Sequence, residues 1–171
     1  MTTIIFLVLR ATHVLAAGVW IGSTVFVSKM LTPVIEKAGP SGGQVMMRMN
    51  RGLTAYMASF ATATVATGVY LMWHFTGGFD SAVITTHAGL AFSTGGTAGL
   101  LAGIIGGAVV GRSAMKIGTI MQQTIALPDG PAKGALVQQA AALRQRIHWG
   151  SSAVLALQTI ALVLMSVGHY V

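Results

Sequence analysis

The sequence predicts an all-α fold: a transmembrane four-helix bundle with both termini outside and a cytoplasmic extension of helices three and four. Three observations predict it. Only 8% of the 171 residues are charged and 54% are hydrophobic, whereas a soluble domain carries about 25% charged residues. Four apolar runs each approach the ~20 residues that ~30 Å of hydrocarbon demands. Nine of the ten Lys and Arg residues fall in the two connections on one side of those runs, and the positive-inside rule makes that side cytoplasmic. The length fits one domain spanning residues 1–171.

The first run reads from Ile4 to Val27. Met1-Thr2-Thr3 lacks the basic region that opens a signal peptide, so this run is expected to stay as a helix. The next connection holds Lys29, Lys37, Arg48 and Arg51. Within it, Pro33 and Gly39-Pro40-Ser41-Gly42-Gly43 predict a break, with the second helix starting near Gln44. The second run is Gly52 to Phe75. The connection from Thr76 to His87 has no Lys or Arg, only Asp80. The third run is Ala88 to Gly111, and Ser113 to Ala126 can continue its helix. Pro128-Asp129-Gly130-Pro131 is a turn signal. Ala132 to Ile147 is rich in good helix formers and leads into the fourth run, Gly150 to Val171.

Composition excludes several classes. With no cysteine there are no disulfides, iron–sulfur clusters or thiolate metal sites. The three acids, Glu36, Asp80 and Asp129, all lie outside the runs, which excludes acid–base catalysis by buried carboxylates. The net charge of +7 follows membrane topology and does not form a nucleic-acid site. The basic residues suit contact with anionic lipid. Gly18 and Gly22 form a GxxxG in helix one, and helix three carries Gly95, Gly96, Gly99, Gly103, Gly106 and Gly107. Such glycines permit close helix packing in lipid or leave room for a flat cofactor. Exposed apolar faces suit lipid or a second copy of the chain.

Arg10 and His13 lie inside the first apolar run, Ile4 to Val27, which carries no other ionisable residue. At such depth a functional role is the default reading. Their spacing puts them on neighbouring parts of one helical face. His13 is 16 residues from Lys29, about 24 Å at the helical rise, and so lies in the outer half of the bilayer. His74, His87 and His169 fall at or near the outer ends of helices two, three and four. His148, beside Trp149, is an interfacial residue on the cytoplasmic side. Four helices thus each offer one imidazole to the same outer region, and neutral imidazole is the commonest metal ligand. Two imidazoles from facing helices can sandwich a haem iron. Arg10 either pairs with a haem propionate or snorkels outward. Trp20, seven residues from His13 on the same face, can line the macrocycle edge.

The segment Leu9-Arg10-Ala11-Thr12-His13-Val14-Leu15-Ala16-Ala17-Gly18-Val19-Trp20-Ile21-Gly22 resembles the first helix of small CopD-like bacterial membrane proteins. His13, Trp20 and Gly22 match the pattern of a histidine followed seven residues later by Trp and then Gly. The resemblance covers mainly helix one and the four-span plan. It implies a b-type haem or a copper site near the outer side. The related HemJ-like group is similar at helix one and relies on a lysine in its third helix. The run from Ala88 to Gly111 has no lysine, which argues against that group's protoporphyrinogen oxidation.

The expected function is therefore that of a b-type haem protein of the bacterial inner membrane. One or two bis-His haems would sit near the outer face. Their ligands come from His13, His74, His87 and His169, with Arg10 and Trp20 beside them. The haem would carry electrons to or from a quinone or a redox partner. A haem-dependent oxidoreductase is a related reading, and five-coordinate iron would favour it. The alternative is a copper or zinc binding or transport protein. The outer histidines would then hold the ion, with Asp80 as a possible fourth ligand. The polar residues noted in the spans are mainly Ser59, Thr62, Thr64, Thr67, Ser93, Thr94 and Thr159, too few to suggest pumping.

Overall fold

Apolar side chains without backbone partners leave a chain in lipid one economical solution, the helix, which satisfies its own N–H and C=O groups. The computed structural model describes residues 2–171, the side chains of Thr2 and Pro40 excepted. Every element among the described residues is a helix. In chain order these are α1 (Thr2–Val25), α2 (Thr32–Lys37), α3 (Gly39–Phe75), α4 (Ser81–Ile84), α5 (His87–Ile105), α6 (Arg112–Ala126) and α7 (Pro131–Val167). A π-helical stretch, Phe26–Leu31, joins α1 to α2, and a second, Gly106–Gly111, joins α5 to α6. The result is four long rods: Thr3–Lys37, Ser41–Phe75, His87–Ala126 and Pro131–Val167. All four are long and apolar enough to cross a membrane.

Each rod has 35 to 40 residues, about 53–60 Å of helix and nearly twice the ~30 Å hydrocarbon thickness. The expected spans therefore occupy one end of each longer helix, the end nearest Thr3, Phe75, His87 or Val167. The break expected across Pro33 to Gly43 is much smaller than the composition suggests. Pro33 sits in the first turn of α2, where its missing N–H is best tolerated. Just before it, the Thr32 N–H closes on the Val27 carbonyl five residues back, so the rod runs on through the proline. The real break is at Gly39, whose φ of +57° a side-chain-bearing residue rarely adopts. Thus α3 begins at Gly39 and not near Gln44. Helix four ends at Val167, so His169 lies in the turn beyond it.

The rods close into a ring. The most extensive contacts are α5 on α7 and α1 on α3; α3 also packs on α5, and α7 returns to α1. Small residues permit this. A Cβ added at Gly95 would meet Met165 Cγ at 3.2 Å, and one at Gly150 would meet Val110 Cγ2 at 2.9 Å. The Gly18 and Gly22 pair behaves differently, because a Cβ on either meets nothing within 4 Å. That GxxxG does not hold this bundle together.

Two apolar cores lie along the ring. Trp20, Ala102 and Val154 are buried together, with Met57, Phe60, Ala61, Ile105 and Leu157 packed round them. Ile120, Ala140 and Leu143, backed by Ile117 and Leu136, form the other core between α6 and α7. This second core lets the α6–α7 hairpin hold its own shape. Its turn is pinned by Lys133 Nζ donating to Asp129 Oδ1 at 2.7 Å. Near Phe75 the chain is held differently. The Thr76 hydroxyl, fully buried, donates to the Met72 carbonyl and accepts the Phe79 N–H, both at 2.8 Å. Thr86 caps α5 by accepting the Gly89 N–H. The two ends of the bundle are called here the basic end, which carries the α6–α7 hairpin, and the histidine end.

The hydrogen bond and positive charge of Lys133 hold the Asp129 carboxyl below its usual range. A lowered folded-state value means the pair contributes above the ordinary aspartate pKa and is lost as pH falls through the shifted one. Titrating the labelled Asp129 carboxyl by NMR should show the depressed value, and Lys133→Met should return it to the ordinary one. An unchanged titration in the variant would mean that the pair does not form in solution.

Candidate functional site

His13 is held from one side by α3. Its Nδ1 lies 2.9 Å from the Thr64 carbonyl oxygen and 3.2 Å from Thr67 Oγ1. A carbonyl only accepts, so Nδ1 carries the proton and donates. In the neutral ring this leaves Nε2 with its lone pair, and Nε2 has no hydrogen-bond partner among the described residues. Orienting one nitrogen through a backbone carbonyl is how a ligating histidine has its other nitrogen presented.

The sequence makes this possible through Gly68. In a helix the carbonyl of residue 64 already accepts from the N–H of residue 68, and the side chain at 68 stands beside it. Here that side chain is absent. A Cβ on Gly68 would lie 2.9 Å from His13 Cε1 and 3.3 Å from Nδ1. The imidazole occupies the space a larger residue would fill. The Thr67 hydroxyl, which donates to Ala63 O at 2.6 Å, keeps an oxygen lone pair toward Nδ1.

The other expected ligands are placed elsewhere. His74 is exposed, with its ring 4.8 Å from that of Phe6 and 6.4 Å from that of Tyr70. Phe6 is seven residues from His13, about 10 Å along α1. His169 is also exposed; its Nε2 lies 3.3 Å from Arg10 Nη2, and its ring meets Phe92 edge-on at 5.0 Å. A guanidinium only donates, so His169 Nε2 accepts. Arg10 thus pairs with His169 across the α1–α7 seam. His87 is exposed at the first position of α5. Asp80 caps α4, its Oδ1 accepting the Ala82 N–H at 2.9 Å. Among the described residues no three His, Asp or Glu side chains are grouped to hold a metal ion. The depth gap between His13 and the other histidines, evident in the sequence, persists in the fold. Trp20 is 5% exposed and belongs to the central core; its Cη2 comes within 3.8 Å of a Cβ built on Gly103.

Sequence reading passed over Gln158. Its side chain is 2% exposed, and neither Oε1 nor Nε2 has a hydrogen-bond partner. Leaving such a group unpaired costs about 1–3 kcal/mol. Its depth follows from the contacts around it. Val154 faces Gly106, and Ala161 faces Gly95, so Gln158 stands level with the middle of α5. The same part of α5 faces Val65 through Gly103, one residue from Thr64. Gln158 and His13 therefore lie within about one helical turn of the same depth, ~5 Å. A lone amide in an apolar run, in register with Val154 and Ala161, was the available signal.

Gly68→Ala should displace the His13 ring and destabilise the bundle by about 1–2 kcal/mol in reversible SDS or steric-trap unfolding. The His13 Nδ1 resonance should lose its hydrogen-bonded shift. Unchanged stability with an unchanged resonance would show that the ring does not occupy this seat.

Comparison of the chain with known proteins found no matching family model, no similar curated protein and no similar solved structure.

Proposed function

We propose that this protein binds a b-type haem through His13 and carries out one-electron redox chemistry in a bacterial cytoplasmic membrane. The observation that carries the reading is the His13 imidazole, seated on Gly68 with Nδ1–H on the Thr64 carbonyl and Nε2 unpartnered. The unpartnered amide of Gln158 at nearly the same depth supports a bound group at that level. A haem held there would supply the ferric–ferrous couple. His13 would bind it through Nε2.

A single protein ligand fits better than the expected bis-His pair. His74 stands against Phe6 and Tyr70, and His169 is engaged by Arg10. Both lie toward the histidine end from His13, so a second imidazole at matching depth is missing. An open sixth position suits reaction with a small oxidant, whereas bis-His ligation suits electron transfer alone. A bilayer quinol is the donor class this reading implies. Both termini and the histidine end face outward, because nine of the ten basic residues lie on or between the basic ends of the rods.

The purified protein, reconstituted with haemin and reduced with dithionite, should give a b-type pyridine haemochrome and a high-spin ferrous spectrum that carbon monoxide converts. His13→Ala should lose it, while His74→Ala and His169→Ala keep it. Failure to retain haem, or retention by His13→Ala, would overturn the reading; loss of low-spin bands in His74→Ala or His169→Ala would restore bis-His ligation.

Orientation has its own test, made clean by the absence of cysteine. A membrane-impermeant maleimide added to spheroplasts should label Ser81→Cys, and it should label Lys133→Cys only after lysis. The reverse pattern would invert the bundle.

A further inference from the structure

The basic half of the bundle contains a cavity of about 510 Å³, within the ~300–1,000 Å³ of small-molecule sites. All four rods line it. Its floor is Trp20; Lys29, Arg112 and Arg144 line it partway along, and the lining continues beyond Lys29 and Arg112 to Gly43, Met121 and Glu36, the one acid among the lining residues. Among the described residues no carboxylate pairs with any of these three cations. We propose that this cavity binds an anionic phospholipid of the leaflet at the basic end, with an acyl chain running inward to Trp20 and the phosphate at Lys29, Arg112 and Arg144.

Length argues for the chain. Trp20 and Lys29 are nine residues apart on one rod, about 13 Å. Val154 and Arg144, both lining the cavity, are ten residues apart on another, about 15 Å. Both figures are close to half of the ~30 Å hydrocarbon core, which is the depth of one leaflet.

The chemistry of the walls argues for hydrocarbon below a charged head. The hydroxyls of the first rod that line the cavity are already bonded to their own backbone. Thr24 donates to Trp20 O at 2.9 Å, Ser28 to Thr24 O, and Thr32 to Val27 O at 2.8 Å. Asn50 is likewise engaged, donating to Ala114 O at 2.6 Å. Thr54, Thr62 and Ser151 add hydroxyls from the other rods, but the wall as a whole is mainly apolar, and Lys29, Arg112 and Arg144 bring three positive charges to it for an anion.

Both π-helical stretches open onto this space. Lys29 belongs to one, and Gly106, Gly107 and Gly111 to the other. An added residue in a helical turn widens the turn and recurs at functional sites. Here two such turns on different rods line one cavity.

Trp20 supplies the readout. It is 5% exposed, whereas Trp73 and Trp149 are 50% and 69% exposed and would meet bulk lipid. In a Trp73→Phe/Trp149→Phe background, Trp20 is the sole indole. The protein is placed in phosphatidylcholine nanodiscs containing small fractions of phosphatidylglycerol or phosphatidylcholine brominated near the chain end. Brominated phosphatidylglycerol should quench Trp20 at a mole fraction at least about fivefold lower than brominated phosphatidylcholine, the factor expected of even one basic contact. Bromine near the carboxyl end should quench less. Arg112→Gln/Arg144→Gln should abolish the headgroup preference, and Arg112→Lys/Arg144→Lys should keep most of it, with circular dichroism confirming that both variants fold. Equal quenching by the two headgroups would overturn the anionic specificity. Absence of Trp20 quenching by either lipid would overturn the acyl-chain site.

Discussion

The hydrogen bond from His13 Nδ1–H to the Thr64 carbonyl is made where lipid offers no substitute partner, and the set of the first rod depends on it. Gly68 leaves the carbonyl open to the ring. Trp20, two turns along the same face, falls into the core with Ala102 and Val154. These two contacts specify how α1 is turned about its axis. With His13 on α3 and Trp20 inside, Gly18 and Gly22 have open space where a packed neighbour would stand. The closest glycine packing is instead at Gly95, against Met165 and Leu164 of α7, and at Gly150 of α7, against Val109 and Val110.

The two ends of the bundle solve different problems. At the histidine end, aromatic rings fill the seams: Phe75 meets Phe92 at 5.1 Å, and Phe92 meets His169. Arg10, costly in hydrocarbon alone, finds an acceptor in His169. The basic half is looser. Both π stretches lie there, and the four rods line a common space above Trp20. Beyond it, α6 and α7 meet through their own core of Ile120, Ala140 and Leu143, while Asn50 of α3 donates to the Ala114 carbonyl of α6.

Polar side chains inside the bundle divide by whether the backbone can satisfy them. Serine and threonine reach carbonyls four residues back, as Thr64 does to Phe60 at 2.7 Å and Thr159 does to Leu155 at 2.9 Å. They can therefore sit in apolar helices at small cost. Gln158 has no such bond, and its amide stays unpaired in the interior. That contrast separates a residue tolerated in lipid from one whose presence calls for a partner.

The sequence by itself determined the helical class, the four apolar spans and the α6–α7 hairpin. Hydropathy, charge and turn chemistry are local properties, and in hydrocarbon they leave the backbone no other form. It also singled out His13, because an imidazole far from any run's end is legible from spacing alone. Three things were decided only by tertiary structure. Whether histidines on four helices meet depends on azimuth and depth, which no single run encodes; His74, His87 and His169 proved to stand apart from one another at the histidine end, away from the level of His13. The continuation through Pro33 depends on a π turn that lets Thr32 reach Val27, a register set by the packed rod. The burial of Gln158 and the cavity above Trp20 exist only once the rods close, because a helix face becomes an interior only when another helix covers it.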